Sequence, residues 1–251
     1  MEKQEFINKS NEHLSAIEGL NKLRESTLSV DGPSIKEILS TPEGKERFLT
    51  KKIILAGPPR SGKSCLREGL KKAIINNRYI DNEIPYPYML TACPDGEGSW
   101  FQETMNSDSD LAAKLKNEYK SKFTPEFVRR ISESVKKLSS PHNPLNFIDI
   151  GGIISTENQQ ICEGGNGAII ICGETSVACG KPAEWKEFFN QLNIPIIAEL
   201  YSDYTGEEDF VSGVEDDGVF RGSVHHLERG ENLNKRETIQ ALAKFIINFN
   251  K

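Results

Sequence analysis

Two kinds of apolar spacing alternate along this chain. Short apolar runs occur at Ile53-Ile54-Leu55, at Leu145, Phe147 and Ile148, at Ala168 to Cys172 and at Ile196-Ile197-Ala198, each bounded by Gly, Pro or polar residues. Such runs are the mark of strands buried on both faces. Between them, apolar residues recur every three or four positions. Leu66, Leu70, Ala73 and Ile74 form one stripe, Phe127, Ile131, Val135 and Leu138 a second, and Ile239, Leu242, Ala243, Ile246 and Ile247 a third. That spacing predicts helices with one buried side. A further strand is expected from Tyr88 to Ala92, and "PAEWKEFFNQL" supplies a helix ahead of the fifth strand. Strands separated by helices in this way predict an α/β three-layer sandwich, with a mainly parallel five-stranded sheet and helices on both faces.

The ends of the chain are less regular. Phe6, Ile7, His13, Leu14, Ile17, Leu20 and Leu23 give residues 4–25 a loosely amphipathic helical pattern, suited to packing on the core or on a second subunit. "SVDGPS" breaks that helix, "SIKEILS" makes another, and "TPEG" turns into the first strand. Residues 1–48 are therefore expected to be a helical extension, and 49–251 the α/β domain. After the fifth strand, Thr205 to Gly218 reads as an irregular acidic segment, "VFRGSVHHL" as a short strand, and Leu233 to Phe249 as a last helix.

The chemistry concentrates where the first strand meets its helix. Gly57-Pro58-Pro59-Arg60-Ser61-Gly62-Lys63-Ser64 is a complete G-x-x-x-x-G-K-S match, the Walker A pattern, in the strand-to-helix setting it requires. Glycines are needed because no Cβ can intrude where backbone N–H groups converge on phosphate oxygens. Gly57 through Cys65 are thus the expected nucleotide-binding residues. Lys63 is expected to reach the β- and γ-phosphates, Ser64 to ligate Mg²⁺, and the helix start to add its positive dipole end.

Asp149 closes the apolar third strand, the place of a Walker-B aspartate that holds Mg²⁺ with Ser64. Many hydrolytic P-loop motors put a glutamate next; here Ile150, Gly151 and Gly152 follow, as in the aspartate-glycine turn of kinases and GTPases. A backbone N–H at Gly152 is expected to face the γ-phosphate. No Asn-Lys-x-Asp motif follows the fourth strand, which argues against guanine. In "CPDGEGSW", Asp95 and Glu97 sit after the second strand, where a carboxylate accepts a proton from a hydroxyl or from water; a solvent-exposed turn is the other reading. Trp100 either stacks on an acceptor or packs. Glu174, Thr175 and Ser176, with Glu199, Ser202 and Asp203, lie where loops shape a base or acceptor pocket. Arg221 and Arg229 stand in two Arg-Gly steps: one clamps phosphate or serves a neighbouring subunit, or both make structural ion pairs. His225 and His226, adjacent on a strand, cannot share one site.

Composition narrows the setting. A formal charge of −6 excludes a surface that grips nucleic acid throughout, and lysine and arginine runs near 114–137 read as solvated helix faces. No apolar run approaches a membrane span and "MEKQEFINKS" is no signal peptide, so the expectation is a cytoplasmic protein without a membrane partner. Five cysteines with no C-x-x-C pair predict neither a disulfide framework nor a zinc site.

Taken together, "AGPPRSGKS", "TACPDGEGSW", "NFIDIGGIISTENQQIC", "IPIIAELYSD" and "HHLERG" resemble the P-loop ATPase domain fused to, or encoded beside, the CRISPR-associated ring nucleases of type III systems. The resemblance spans roughly residues 50–248. It implies ATP and Mg²⁺ at Gly57, Lys63, Ser64 and Asp149, and a link to cyclic-oligoadenylate signalling. The first 50 residues are too few and too helical for the nuclease fold, so that activity would need a partner chain. Three functions stay open: an ATP-dependent phosphotransferase acting on a small molecule or nucleotide, an ATPase that switches an assembly, sometimes as a homo-oligomer, and a nucleotide sensor without turnover.

Overall fold

The computed structural model describes residues 2–26, 34–94, 123–138 and 144–249, with side chains in the first helix from Leu14 onward. The described residues begin with α1 (Glu2–Glu25), α2 (Ile35–Leu39) and α3 (Pro42–Arg47). The alternating part follows as β1 (Lys51–Ala56), α4 (Lys63–Ile80), β2 (Tyr88–Thr91), α5 (Pro125–Lys137), β3 (Leu145–Asp149), α6 (Thr156–Cys162) and β4 (Gly167–Gly173). Then come α7 (Glu174–Ala178), α8 (Lys181–Gln191), β5 (Ile196–Asp203), β6 (Phe210–Val214), β7 (Phe220–His225), a 3₁₀ turn (Leu233–Lys235) and α9 (Glu237–Asn248). Asp95, Glu97 and Trp100 and the lysines from 114 to 122 lie outside the described residues.

The sheet runs β2-β3-β1-β4-β5-β7-β6. All neighbouring pairs are parallel except β6 with β7. The α/β sandwich expected from the sequence is present, but with seven strands among the described residues rather than five. β7 is the short strand anticipated around "VFRGSVHHL". β6 lies inside the segment read as irregular, for a physical reason. It is the outer, antiparallel strand, interrupted by Gly213 at φ 86 with a register shift between Val211 and Gly213, so it lacks the continuous apolar run of a central strand. Helices α6 and α7 were not anticipated; both are too short to show a period.

Each face of the sheet has its own core. On one, Ile53, Leu55, Ile169, Ile171 and Leu200 pack against Leu66 and Leu70 of α4 and Leu242 and Ile246 of α9. On the other, Ile54, Ile148 and Ile170 meet Val128 and Val135 of α5, Ile161 of α6, Trp185 and Phe189 of α8, and Leu20 and Leu23 of α1. Gly19 lets α1 lie against the Tyr201 ring, which an added Cβ would approach to 2.4 Å. All five cysteines are free thiols, with Cys162 and Cys172 buried. Among the described residues no helix is long and apolar enough to cross a membrane.

A buried ion network fastens α1, α8 and the β6–β7 turn to β5. Glu199 of β5 accepts from Lys186 Nζ at 2.7 Å and from Arg221 Nε at 2.8 Å. Lys186 also donates to the Leu23 carbonyl at 2.6 Å, capping the end of α1. Arg221 continues to Glu215 Oε2 at 2.9 Å and Asp217 Oδ2 at 2.8 Å, and Arg24 of α1 pairs with Glu215. Burial lowers the Lys186 pKa against the pull of Glu199. Burial acts on Arg221 too, but the bonds to Asp217 and Glu199 outweigh it and hold that guanidinium protonated. Removing the shared carboxylate with Glu199→Ala leaves two buried cations short of a partner, and stability in urea unfolding should fall by about 3–5 kcal/mol.

Candidate functional site

β1 ends in a loop that no ordinary residue sequence would tolerate. Gly57 has φ 143, and a Cβ there would fall 2.0 Å from the Ile171 carbonyl oxygen of β4. Arg60 follows at φ 63 and Gly62 at φ 92, the latter directly under Leu227, whose Cδ1 an added Cβ would meet at 2.5 Å. The chain therefore coils through left-handed turns before α4 starts at Lys63, where Leu66 N–H donates to the Gly62 carbonyl at 2.9 Å. Within the loop, Ser61 N–H donates to the Pro58 carbonyl at 3.3 Å.

Lys63 is buried, and its ammonium donates to the carbonyls of Gly57 at 2.7 Å and Pro58 at 2.8 Å. Burial lowers its pKa, and Asp149 opposes that shift. Ser61 is buried as well, yet its Oγ has no hydrogen-bond partner. A sealed hydroxyl without a partner costs free energy unless something polar reaches it, so the loop suits an oxygen-rich anion. Ser64 and Cys65 are partly buried on the first turn of α4. Cys172, beside Lys63, is a buried thiol pushed up to about 12 and so inert as a nucleophile.

Asp149 ends β3, level with Leu55 of β1 and Thr91 of β2. Its Oδ2 accepts from Arg67 Nη1 at 3.0 Å, and the same Nη1 donates to Thr91 Oγ1 at 3.2 Å. Arg67 was not anticipated. Its signal was a basic residue one turn after Lys63 and next to the apolar stripe of α4, hence facing the sheet.

The turn after Asp149 comes back against the phosphate loop: a Cβ on Gly152 would lie 2.6 Å from the Pro59 nitrogen. Asn158 of α6 fixes that turn, donating from Nδ2 to the carbonyls of Gly151 at 3.2 Å and Ile153 at 2.7 Å. Nothing in the sequence pattern flagged Asn158 or Leu227, since each acts through a contact made by distant chain.

Gly57 through Cys65, Asp149 and Gly152 are brought together at the carboxyl ends of β1 and β3. Arg221 is not. With Pro195, Ile196 and Val219 it lines a cavity of about 350 Å³ at the amino ends of β5 and β7, the opposite pole of the sheet. Its guanidinium is taken up by Glu199, Glu215 and Asp217, so the ion-pairing alternative describes it. Glu199 belongs to the same network and not to the mouth. Asp203 accepts from Gly206 N–H at 3.0 Å in the turn after β5. His225 meets Asp209 at 2.6 Å whereas the His226 ring stacks on Tyr204, so the two histidines do occupy separate environments.

A parallel sheet whose first strand runs through a glycine-bearing loop into a helix, with an aspartate closing the adjacent strand, is a P-loop NTPase fold. No family model and no curated protein matches the chain. Solved structures similar to it include the septum site-determining protein MinD of Pyrococcus horikoshii OT3, complexed with Mg-ADP. That match has 15% identity and a TM-score of 0.48 over 79% of this chain and 94% of that one. A plasmid partition protein of Borrelia burgdorferi B31 bound to AMPPNP matches at 11% identity and TM-score 0.48, over 79% and 97%. An unliganded sugar kinase of Janibacter sp. HTCC2649 matches at 11% and 0.32, over 77% and 94%.

Gly152→Ala should force its turn and the phosphate loop apart. Overpacking of this kind costs about 1–3 kcal/mol, and a roughly tenfold loss of nucleotide affinity in calorimetry, with the circular dichroism spectrum kept, is the expected result.

Proposed function

We propose that the chain binds ATP with Mg²⁺ and transfers the γ-phosphoryl group to a small-molecule or nucleotide acceptor. Gly152 carries this reading: its backbone lies against Pro59, so the turn beside the phosphate loop presents main chain, with Ile150, Gly151 and Gly152 where a hydrolytic motor would place an acid. Backbone N–H groups from Arg60 to Cys65 bind the phosphates, the unpartnered Ser61 hydroxyl donates to one of their oxygens, and Lys63 exchanges loop carbonyls for phosphate. Ser64 and Asp149 hold Mg²⁺, which when bound offsets the charge on the transferring group. Asp95 and Glu97 are the proposed proton acceptors for the incoming hydroxyl, with Trp100 against the acceptor.

A second reading, an ATPase that switches an assembly, has its own support. Ile153 and Ile154, directly after the Gly152 turn, are 69% and 38% exposed, an apolar pair placed to report the state of that turn to another chain. The sequence resemblance makes a type III CRISPR ring nuclease the proposed partner, in cytoplasmic cyclic-oligoadenylate signalling.

Incubation of the protein with γ-labelled ATP and a metabolite and nucleotide extract separates the two. Label in a new organic phosphate is expected; inorganic phosphate alone would favour the switch, and no turnover at all would favour a sensor. Lys63→Ala removes a charge-assisted contact of about 1.5–3 kcal/mol, so ATP affinity should fall by roughly ten- to a hundredfold in calorimetry.

A further inference from the structure

We infer that Arg67 and the divalent cation are alternative partners of the Asp149 carboxylate, so that a metal bound there releases Arg67 from the end of β2. Arg67 takes this role only on the reading that Ser64 and Asp149 hold the metal.

Arg67 is 6% exposed and Asp149 7%, which places their 3.0 Å ion pair away from solvent. In such surroundings a dication and a guanidinium brought to one carboxylate repel each other with little screening. The guanidinium also has a second place to go. Its Nε and Nη2 lie 3.2 Å and 3.1 Å from Glu68 Oε1, and the Glu68 side chain is about one-third exposed, so Arg67 can leave Asp149 without becoming an unpaired buried charge.

The exchange has a mechanical consequence because Nη1 holds two strands at once. Thr91, its other acceptor, is the last residue of β2 and the cross-strand neighbour of Asp149. The Ala92 N–H donates to the Asp149 carbonyl at 2.8 Å immediately beyond. Arg67 thus fastens α4, the end of β2 and the end of β3 at one point. Its departure removes this side-chain tie, while the backbone bonds between β2 and β3 remain.

A residue that merely held Asp149 in position for the metal would have the opposite effect on metal affinity, which makes the two roles separable. Mg²⁺ is titrated into the whole chain in the presence of a fluorescent ADP, and the Mg²⁺ midpoint is compared across variants. Arg67→Met should lower the midpoint by about tenfold, because the competing cation is gone. Thr91→Val, which weakens the hold on Arg67 by one hydrogen bond, should lower it by about two- to fivefold. A midpoint that stays or rises in folded Arg67→Met overturns the inference. If that variant does not fold, an unchanged or raised midpoint in Thr91→Val does so instead. Wild-type protein showing no magnesium-dependent ADP uptake would bring down the metal-site reading itself, a result distinct from variants that bind but do not tighten.

Discussion

Backbone meets backbone at the carboxyl end of this sheet, and the site depends on that approach. Gly57 lies against the Ile171 carbonyl and Gly152 against the Pro59 nitrogen, both closer than any Cβ allows. The loop between them passes through positive φ at Gly57, Arg60 and Gly62. For Arg60 that conformation costs about 1–2 kcal/mol. A free peptide would relax it. Here the loop is anchored on one side by the buried last four residues of β1 and on the other by the apolar stripe of α4, and the burial of Leu55, Leu66 and Leu70 outweighs the local strain.

The two poles of the sheet treat polar groups in opposite ways. At the amino ends of β5 and β7, Lys186, Glu199 and Arg221 are buried and satisfied by one another, by Glu215 and Asp217, and by the Leu23 carbonyl. Such a network ties distant segments together, and its members are already spent on each other. At the carboxyl pole the Ser61 hydroxyl is equally buried and has no partner, while the Lys63 ammonium leans on two carbonyls that a charged oxygen would readily replace. Saturated polar clusters make structure; an unsatisfied one beside a movable cation makes a binding site.

What could be read from the sequence follows the same division. Local rules located β1, α4, β3, β4 and β5, because continuous apolar runs and a 3.6-residue stripe depend only on near neighbours. They also placed Gly57 to Ser64 and Asp149 at one mouth, since the motif fixes its own strand-to-helix setting. β6 escaped because an outer strand lacks the apolar signature of an inner one. Arg221 stayed open between phosphate clamp and ion pair while Glu199, Glu215 and Asp217 were unplaced; its pairing with Glu199 is a matter of strand register, which no local pattern encodes. Asn158 and Leu227 act across the fold and left no trace in spacing.

Arg67 lies between these cases. It is legible as a basic residue on a buried helical face, but its partner emerges only when β2 and β3 are seen side by side. Lys63 and Arg67 stand one turn apart on α4, so a single rigid helix delivers two cations to the same sheet edge, with one carboxylate, Asp149, acting on both. Polyphosphate and metal together bring net negative charge to that edge, whereas a dication alone adds to a positive excess. On the proposed reading, the charge balance would favour arrival of metal and nucleotide as one complex, with Lys63 turning to the phosphates as Asp149 exchanged Arg67 for the metal.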